Sequence, residues 1–180
     1  MQPPLTPAVY VDCLRHLRAA HNITEPWIRA LAGTKPSALP AYQSRLIALD
    51  HDIHALVHHF NITPRPGPTF SSCQLPAAFD ASTEPSLRVR QSHYLGVRYV
   101  LEGASQGARV ISARLQKSSP QLLEASSEYW LFQSRMMSNW KALTEQLDGV
   151  QALCPEALLR GAQLAFRQFI DVFNTQAAPP

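Results

Sequence analysis

The sequence predicts an all-α protein, folded as a single-domain helical bundle. Apolar residues recur about every 3.6 positions through each long segment, and the alternating pattern of β-strands is almost absent. The 180 residues are 46% apolar and 16% charged, which is enough apolar material for one hydrophobic core. No repeat or change of composition divides the chain, so 1–180 is expected to be one domain.

The first predicted helix starts at Thr6 or Pro7, because threonine caps a helix N-terminus and proline suits the first turn. The segment HNITEP is expected to interrupt this helix. Thr24 followed by Pro26 then predicts a new cap and first turn for the short helical piece WIRALA, which Gly33 ends.

A second long helix is predicted over 39–60, in LPAYQSRLIALDHDIHALVHHF. Asp50 and His51 are expected to point outward. The expected buried side consists of Leu46, Ile47, Leu49, Ile53, Leu56 and Val57. The proline-rich segment that follows, at about 61–85, is predicted to be a long surface loop, since its prolines exclude a regular helix.

Three further helices are predicted, at about 87–117, 126–147 and 155–174. The first of these has an apolar stripe suited to packing on the bundle, formed by Tyr94, Val97, Leu101, Ala104, Ala108, Ile111 and Leu115. A neighbouring stripe is nearly bare of side chains, and it consists of Gly96, Val100, Gly103 and Gly107. Each glycine inside a helix costs about 0.5–1 kcal/mol relative to alanine, so either close helix packing or a flat ligand is expected against this stripe.

Composition argues against several classes of function. The net charge of +3 comes without a basic run, which disfavours nucleic-acid binding, and no apolar run approaches a membrane span. A pI near 8.9 suits an anionic small-molecule ligand. The three cysteines, Cys13, Cys73 and Cys154, are far apart and odd in number, which predicts free thiols and a cytoplasmic protein.

No catalytic constellation stands out from the residues alone. His54 and His58 have the i,i+4 spacing of a metal pair, but no third ligand accompanies them, and an exposed polar face is the expectation. No GxSxG or phosphate-binding loop occurs. Glu102 is expected to form a surface ion pair with Arg98 or Arg109.

The segment YVLEGASQGARVI, 99–111, resembles the distal helix of heme oxygenases, particularly the bacterial type that makes biliverdin. In that family a pattern close to YVLEGSxLGGRVI crosses the heme face. Looser similarity covers most of the chain. It includes YVDCLRHLRAAHNITEPWIRAL with Glu25, SRLIALDHDIHAL with Asp52 and Ile53, EYWLFQSRMMSNWKALTEQLD, and AQLAFRQFIDVF.

The resemblance implies a heme-oxygenase-like bundle that binds heme or another tetrapyrrole and opens heme to biliverdin with electrons from an external donor. Gly103, Ala104 and Gly107 then lie against the heme, because glycines let the helix backbone approach the iron-bound oxygen. Basic side chains on the last helices hold the heme propionates, with Arg135 and Lys141 as the candidates beside Arg160 and Arg167.

Three departures from the family pattern bear on activity. The family's proximal histidine lies on a helix before the equivalent of Tyr10, and no histidine precedes Tyr10 here. Ala104 stands where the family has Ser or Asp. Gln106 and Ala108 replace a leucine and the second paired glycine. His16 and His21 are the weak candidates for a substitute ligand.

These departures lead to an alternative prediction. The chain is then a catalytically inactive relative that acts as a binding or protein-interaction module, as a homodimer or with another protein. Only nine residues precede Tyr10, three of them proline, so the helix that carries the family's proximal histidine is expected to be missing. Its absence would leave an apolar face for such a contact.

Overall fold

The computed structural model describes residues 5–63, 76–79, 86–149 and 153–175. All regular secondary structure in these residues is helical, so the all-α prediction is confirmed. The seven α-helices of the described residues are α1 (Pro7–Ala30), α2 (Leu46–His59), α3 (Leu87–Ser118), α4 (Pro120–Ala125), α5 (Glu128–Arg135), α6 (Met137–Gly149) and α7 (Pro155–Asn174). Short 3₁₀ turns occur at Ala32–Thr34 and Ala77–Phe79.

α1 begins as predicted but does not break at Pro26. Thr6 Oγ1 accepts a hydrogen bond from Val9 N at 3.3 Å, and Pro7 occupies the first turn. The predicted new cap at Thr24 is wrong, because its hydroxyl donates to Ala20 O at 2.9 Å inside a continuous helix. Trp27 and its neighbours are buried here, so core packing outweighs the roughly 3 kcal/mol penalty of an interior proline.

α2 is shorter than the predicted helix over 39–60, since residues 39–45 are not helical. Leu49 and Leu56 are buried as expected, and Asp50 and His51 are exposed. Ile47 was predicted to be buried and is instead 81% exposed. The described part of the 61–85 segment also differs from a surface loop at Phe79, which is buried against Trp27. Residues 64–75 and 80–85 lie outside the described residues.

The predicted helix at 126–147 is two helices, α5 and α6, separated at Met136. The short helix α4 precedes them. Asp52 of α2 determines where α5 begins, because its two carboxylate oxygens accept from Glu128 N at 3.1 Å and Tyr129 N at 2.9 Å. Such a cap from another helix satisfies backbone donors at the start of α5, and the local sequence pattern cannot predict it.

α3 is the central helix of the bundle, and it packs most extensively against α7. One core cluster surrounds the N-terminal half of α3 and includes Trp27, Leu95 and Leu101, while a second surrounds Ala108 and Leu115. α3 and α7 match the predicted bounds within one residue. In the described part of the chain no helix is both long and apolar enough to cross a membrane, and Cys13 and Cys154 are free thiols.

Candidate functional site

The glycine stripe of α3 has a different environment at each glycine. At Gly96, an added Cβ would overlap Leu158 O of α7 and lie 2.9 Å from Ala162 N. Gly161 of α7 makes the reciprocal approach, since its Cβ would lie 2.6 Å from His93 O. Gly96 therefore allows the backbones of α3 and α7 to touch, and it belongs to the core rather than to a ligand site.

Gly103, one of the predicted heme contacts, lies beneath the indole ring of Trp140 on α6. An added Cβ would lie 3.3 Å from Trp140 Cζ3, which is tight but not an overlap. Tyr99 also contacts this indole, with ring centroids 5.1 Å apart and planes tilted by 49°. Tyr99 remains 44% exposed, so an aromatic pair borders the surface at this point of α3.

Gly107 and Ala104 lie on the exposed side of α3, next to Gly103. An added Cβ at Gly107 would meet nothing within 4 Å. Close helix packing was one of the two expectations for this stripe, and at Gly107 the described residues provide none. The reason is that Trp140 reaches across to Gly103, while no described side chain covers the next turn.

We refer to Tyr99, Gly103, Ala104, Gly107 and Trp140 as the open α3 face. The next turn of α3 extends this face with two exposed aliphatic side chains, Val110 and Ile111, which are 54% and 44% exposed. Small residues and flat rings together make a surface that a planar apolar molecule can approach closely.

The basic residues predicted to hold propionates are both exposed. Arg135 lies in the last turn of α5, and Lys141 follows Trp140 directly on α6. Lys141 forms an exposed i,i+4 ion pair with Glu145 at 3.8 Å. Both side chains are exposed to solvent, and an exposed ion pair such as Lys141–Glu145 contributes little to stability.

His16 is buried in the core and packs on α7. Its Nδ1 lies 2.5 Å from Asp12 O, and its ring is 5.4 Å from the ring of Phe173. This imidazole is held by its own helix and by α7, whereas Gly103 contacts α6. The structure does not bring His16 and the open α3 face together.

His21 is also a core residue. Its ring meets Phe169 of α7 edge-on at 5.3 Å and Tyr129 of α5 at 6.4 Å. Burial, together with the charge of Arg45, lowers the pKa of His21 to about 3. The imidazole is thus neutral near pH 7, and its 3.7 Å approach to Glu25 Oε1 is not an ion pair. No group of three or more His, Cys, Asp or Glu side chains in the described residues is arranged to hold a metal ion.

The largest difference from expectation is Glu102. We predicted a surface ion pair, but Glu102, Arg98 and Arg45 have no exposed surface. Glu102 Oε1 accepts from Arg98 Nε at 3.2 Å and Nη2 at 3.1 Å, and Glu102 Oε2 accepts from Arg45 Nη2 at 2.6 Å. Arg98 Nη1 also donates to Tyr94 Oη at 2.8 Å and Pro40 O at 2.6 Å.

A second buried carboxylate, Glu25 of α1, completes the network. It accepts from Ser44 Oγ at 2.6 Å, Arg45 N at 2.8 Å and Tyr42 Oη at 3.2 Å. The Tyr42 ring lies beneath the Arg45 guanidinium, 4.5 Å from its centre. Two carboxylates and two guanidiniums therefore balance in charge, and they fix residues 40–45 in a non-helical path between α1 and α3.

Sequence reasoning treated these residues one at a time and so missed this network. A local signal existed, because Tyr94, Arg98 and Glu102 follow one another at i,i+4 and lie beside the apolar stripe of α3. The partner Arg45 is 57 residues from Glu102, and nothing in the spacing of either residue indicates that contact.

Comparison with known proteins gives no match to a family model, to a curated protein or to a solved structure.

Proposed function

We propose that this chain is a heme-oxygenase-like binding protein, and that its open α3 face binds a flat, tetrapyrrole-sized ligand. The proposal combines the resemblance of YVLEGASQGARVI to a distal helix with the all-helical fold. It also uses the position of the residues concerned, since four of the five members of the open α3 face fall within that motif.

The observation that carries the proposal is Gly107. It lies inside a 32-residue helix, it is exposed, and an added Cβ would meet nothing within 4 Å. Packing within the described chain therefore gives no reason to accept the helix-propensity penalty of about 0.5–1 kcal/mol. A ligand that lies against the backbone at this turn would supply such a reason.

The residues of this face fit the plane of a porphyrin better than they fit its iron. Trp140 and Tyr99 offer rings for stacking, and the exposed Arg135 and Lys141 are candidates for the carboxylates at the ligand's edge. His16 and His21 contact rings of α5 and α7 instead, so neither imidazole accompanies Gly103. We therefore propose binding of the macrocycle and derive no ring-opening step.

The test is a titration of the purified protein with hemin and, separately, with iron-free protoporphyrin IX. We expect both to bind and to quench the fluorescence of Trp140. A Gly107→Leu variant should keep its helical circular dichroism and bind both ligands at least about tenfold more weakly, because the side chain would occupy the face. The matched control is Gly149→Leu, at the end of α6, where an added Cβ also meets nothing within 4 Å.

Each outcome bears on the proposal. If neither porphyrin binds, or if Gly107→Leu binds as well as the Gly149→Leu control, the proposal is wrong. Binding of hemin without binding of the iron-free ring would point to an iron ligand outside the open α3 face. A green product on addition of reductant and oxygen would instead support the activity that the resemblance implies, an active heme oxygenase with an external electron donor.

A further inference from the structure

The outward side of α7 carries an apolar edge that the described elements leave largely exposed, although His16 of α1 contacts Phe173 at one end. Leu159, Phe166, Ile170 and Phe173 are 56%, 58%, 44% and 39% exposed. At 100° per residue all four lie within about 60° of one another around the helix. Single exposed apolar residues are ordinary, but four on one edge of one helix form a continuous patch.

A charged edge runs beside the apolar one on the same helix. Glu156, Arg160, Arg167 and Asp171 lie along it, bordering an open groove of about 1160 Å³. Within the described residues, none of the last three forms an ion pair. Along this edge the charges therefore run negative, positive, positive, negative, and the last three side chains are available for ion pairs with another molecule.

We propose that α7 is a dimerisation helix, and that a second copy of this chain packs its own α7 antiparallel onto the apolar edge, about a two-fold axis near Phe166. In such an isologous pair each edge of the helix faces the same edge of its partner. The apolar edges then cover one another, and the charged edges lie side by side.

The register follows from the apolar residues. When Phe166 lies opposite Phe166 of the second copy, Leu159 lies opposite Phe173, and Ile170 lies opposite the half-buried Ala162. At the centre, Phe166 thus packs against Phe166 of the second copy. At each end Leu159 pairs with Phe173, and the small side chain of Ala162 leaves room for Ile170.

The charges support this same register. Opposite Arg160 stands position 172 of the second copy, so Asp171 is displaced by one residue, or about 1.5 Å along the axis. Two symmetric Arg160–Asp171 ion pairs result, while Arg167 lies two residues from Arg167 of the second copy on the same edge, which is one like-charge contact near the centre. If the two-fold axis instead lay midway between Gln163 and Leu164, Glu156 would face Asp171 and Arg160 would face Arg167 of the second copy. Like charges would then meet at all of these positions. Charge complementarity therefore favours the register that the apolar edge also favours.

The first experiment measures the mass of the full chain by sedimentation equilibrium over a concentration series from micromolar to millimolar. We expect a reversible monomer–dimer equilibrium, and Phe166→Glu should raise the dissociation constant at least about tenfold. The matched control is Leu131→Glu, a charge added at a 46% exposed leucine on α5, which should leave the equilibrium unchanged.

The second experiment tests the register by charge exchange. Arg160→Asp and Asp171→Arg should each weaken the dimer, because each creates a like-charge pair. The double variant should recover most of the wild-type affinity, which a merely structural role for either residue would not produce. High salt should reduce the effect of both single substitutions.

A wild-type chain that stays monomeric at every concentration would overturn the proposal. So would a dimer that Phe166→Glu leaves intact, and a failure of the double variant to recover would overturn the register. None of these measurements involves the open α3 face, so porphyrin binding and dimerisation can fail independently.

Discussion

The glycine stripe and the apolar stripe run through both halves of α3, but the two halves have different environments. Every residue from 92 to 98 is buried, and this half of the helix contacts α7 and the Arg45–Glu102 network. From 103 to 118, only Ser105, Ala108 and Leu115 are buried. A glycine in the first half makes room for another backbone, while Gly107 in the second half makes room for nothing within the described chain.

The reason for a glycine inside a helix therefore depends on what packs against the helix at that position. Gly96 and Gly107 carry the same propensity penalty, and the sequence places them in one stripe. Only at Gly96 does close packing against α7 offset that penalty. The contrast is what makes the second half of α3 the candidate binding surface. Stability measurements at Glu102 and at the two glycines test the contrast directly, and a pH measurement at His21 tests the buried core beside it.

The largest effect is expected at Glu102, in the buried half. Glu102→Gln removes the carboxylate that faces Arg45 and Arg98 and leaves two buried guanidiniums with one charged partner fewer. We expect a loss of about 3–5 kcal/mol in the free energy of unfolding, measured by urea denaturation. A variant that fails to fold would agree with this expectation.

The control for that experiment is Glu145→Gln. Its ion pair with Lys141 is exposed on both sides, so its removal should change stability by less than about 0.5 kcal/mol. Equal effects of the two substitutions would show that the buried network contributes no more than a surface pair, and would contradict the contrast between the two halves.

The second measurement compares the same substitution at two glycines. Gly96→Ala should destabilise the protein by about 3 kcal/mol, because its methyl group overlaps the carbonyl oxygen of Leu158 and α7 must move. Gly107→Ala should stabilise it by about 0.5–1 kcal/mol, because alanine is the better helix former and has open space. Thermal or urea melts that give both changes the same sign would remove the distinction between packing and exposure.

The third measurement uses pH. His21 is neutral in the folded state, with its pKa lowered to about 3, but in the unfolded chain its pKa is about 6.5. As the pH falls below about 6.5, His21 takes up a proton in the unfolded state but stays neutral in the folded state. Stability should therefore decline by up to about 1.4 kcal/mol per pH unit, or about 2 kcal/mol at pH 5.

The matched variants for this test are His21→Leu and His54→Leu, compared by urea denaturation at pH 7 and pH 5. The first should flatten the pH dependence, and the second should leave it as in the wild type, because His54 is exposed. Some dependence will remain in His21→Leu, since burial also lowers the pKa of His93. An unchanged slope in His21→Leu would show that His21 is not held neutral by the core.

The predictions succeeded where local sequence decides the structure. The 3.6-residue period located α3 and α7, and Thr6 with Pro7 located the start of α1. They failed where a distant residue decides. Asp52 sets the start of α5, Glu25 holds residues 39–45 out of α2, and core contacts carry α1 through Pro26.

For the candidate site, the spacing of residues along the chain is enough to predict that α3 is a long helix with glycines at helical spacing, and its motif resembles the distal helix of heme oxygenases. That Gly96 faces α7, that Gly103 faces Trp140 and that Gly107 is open becomes visible only in the folded chain. The difference is one of range along the sequence. Helix periodicity is set by neighbours three or four positions away, whereas the meaning of a missing side chain depends on which distant segment approaches the backbone at that point.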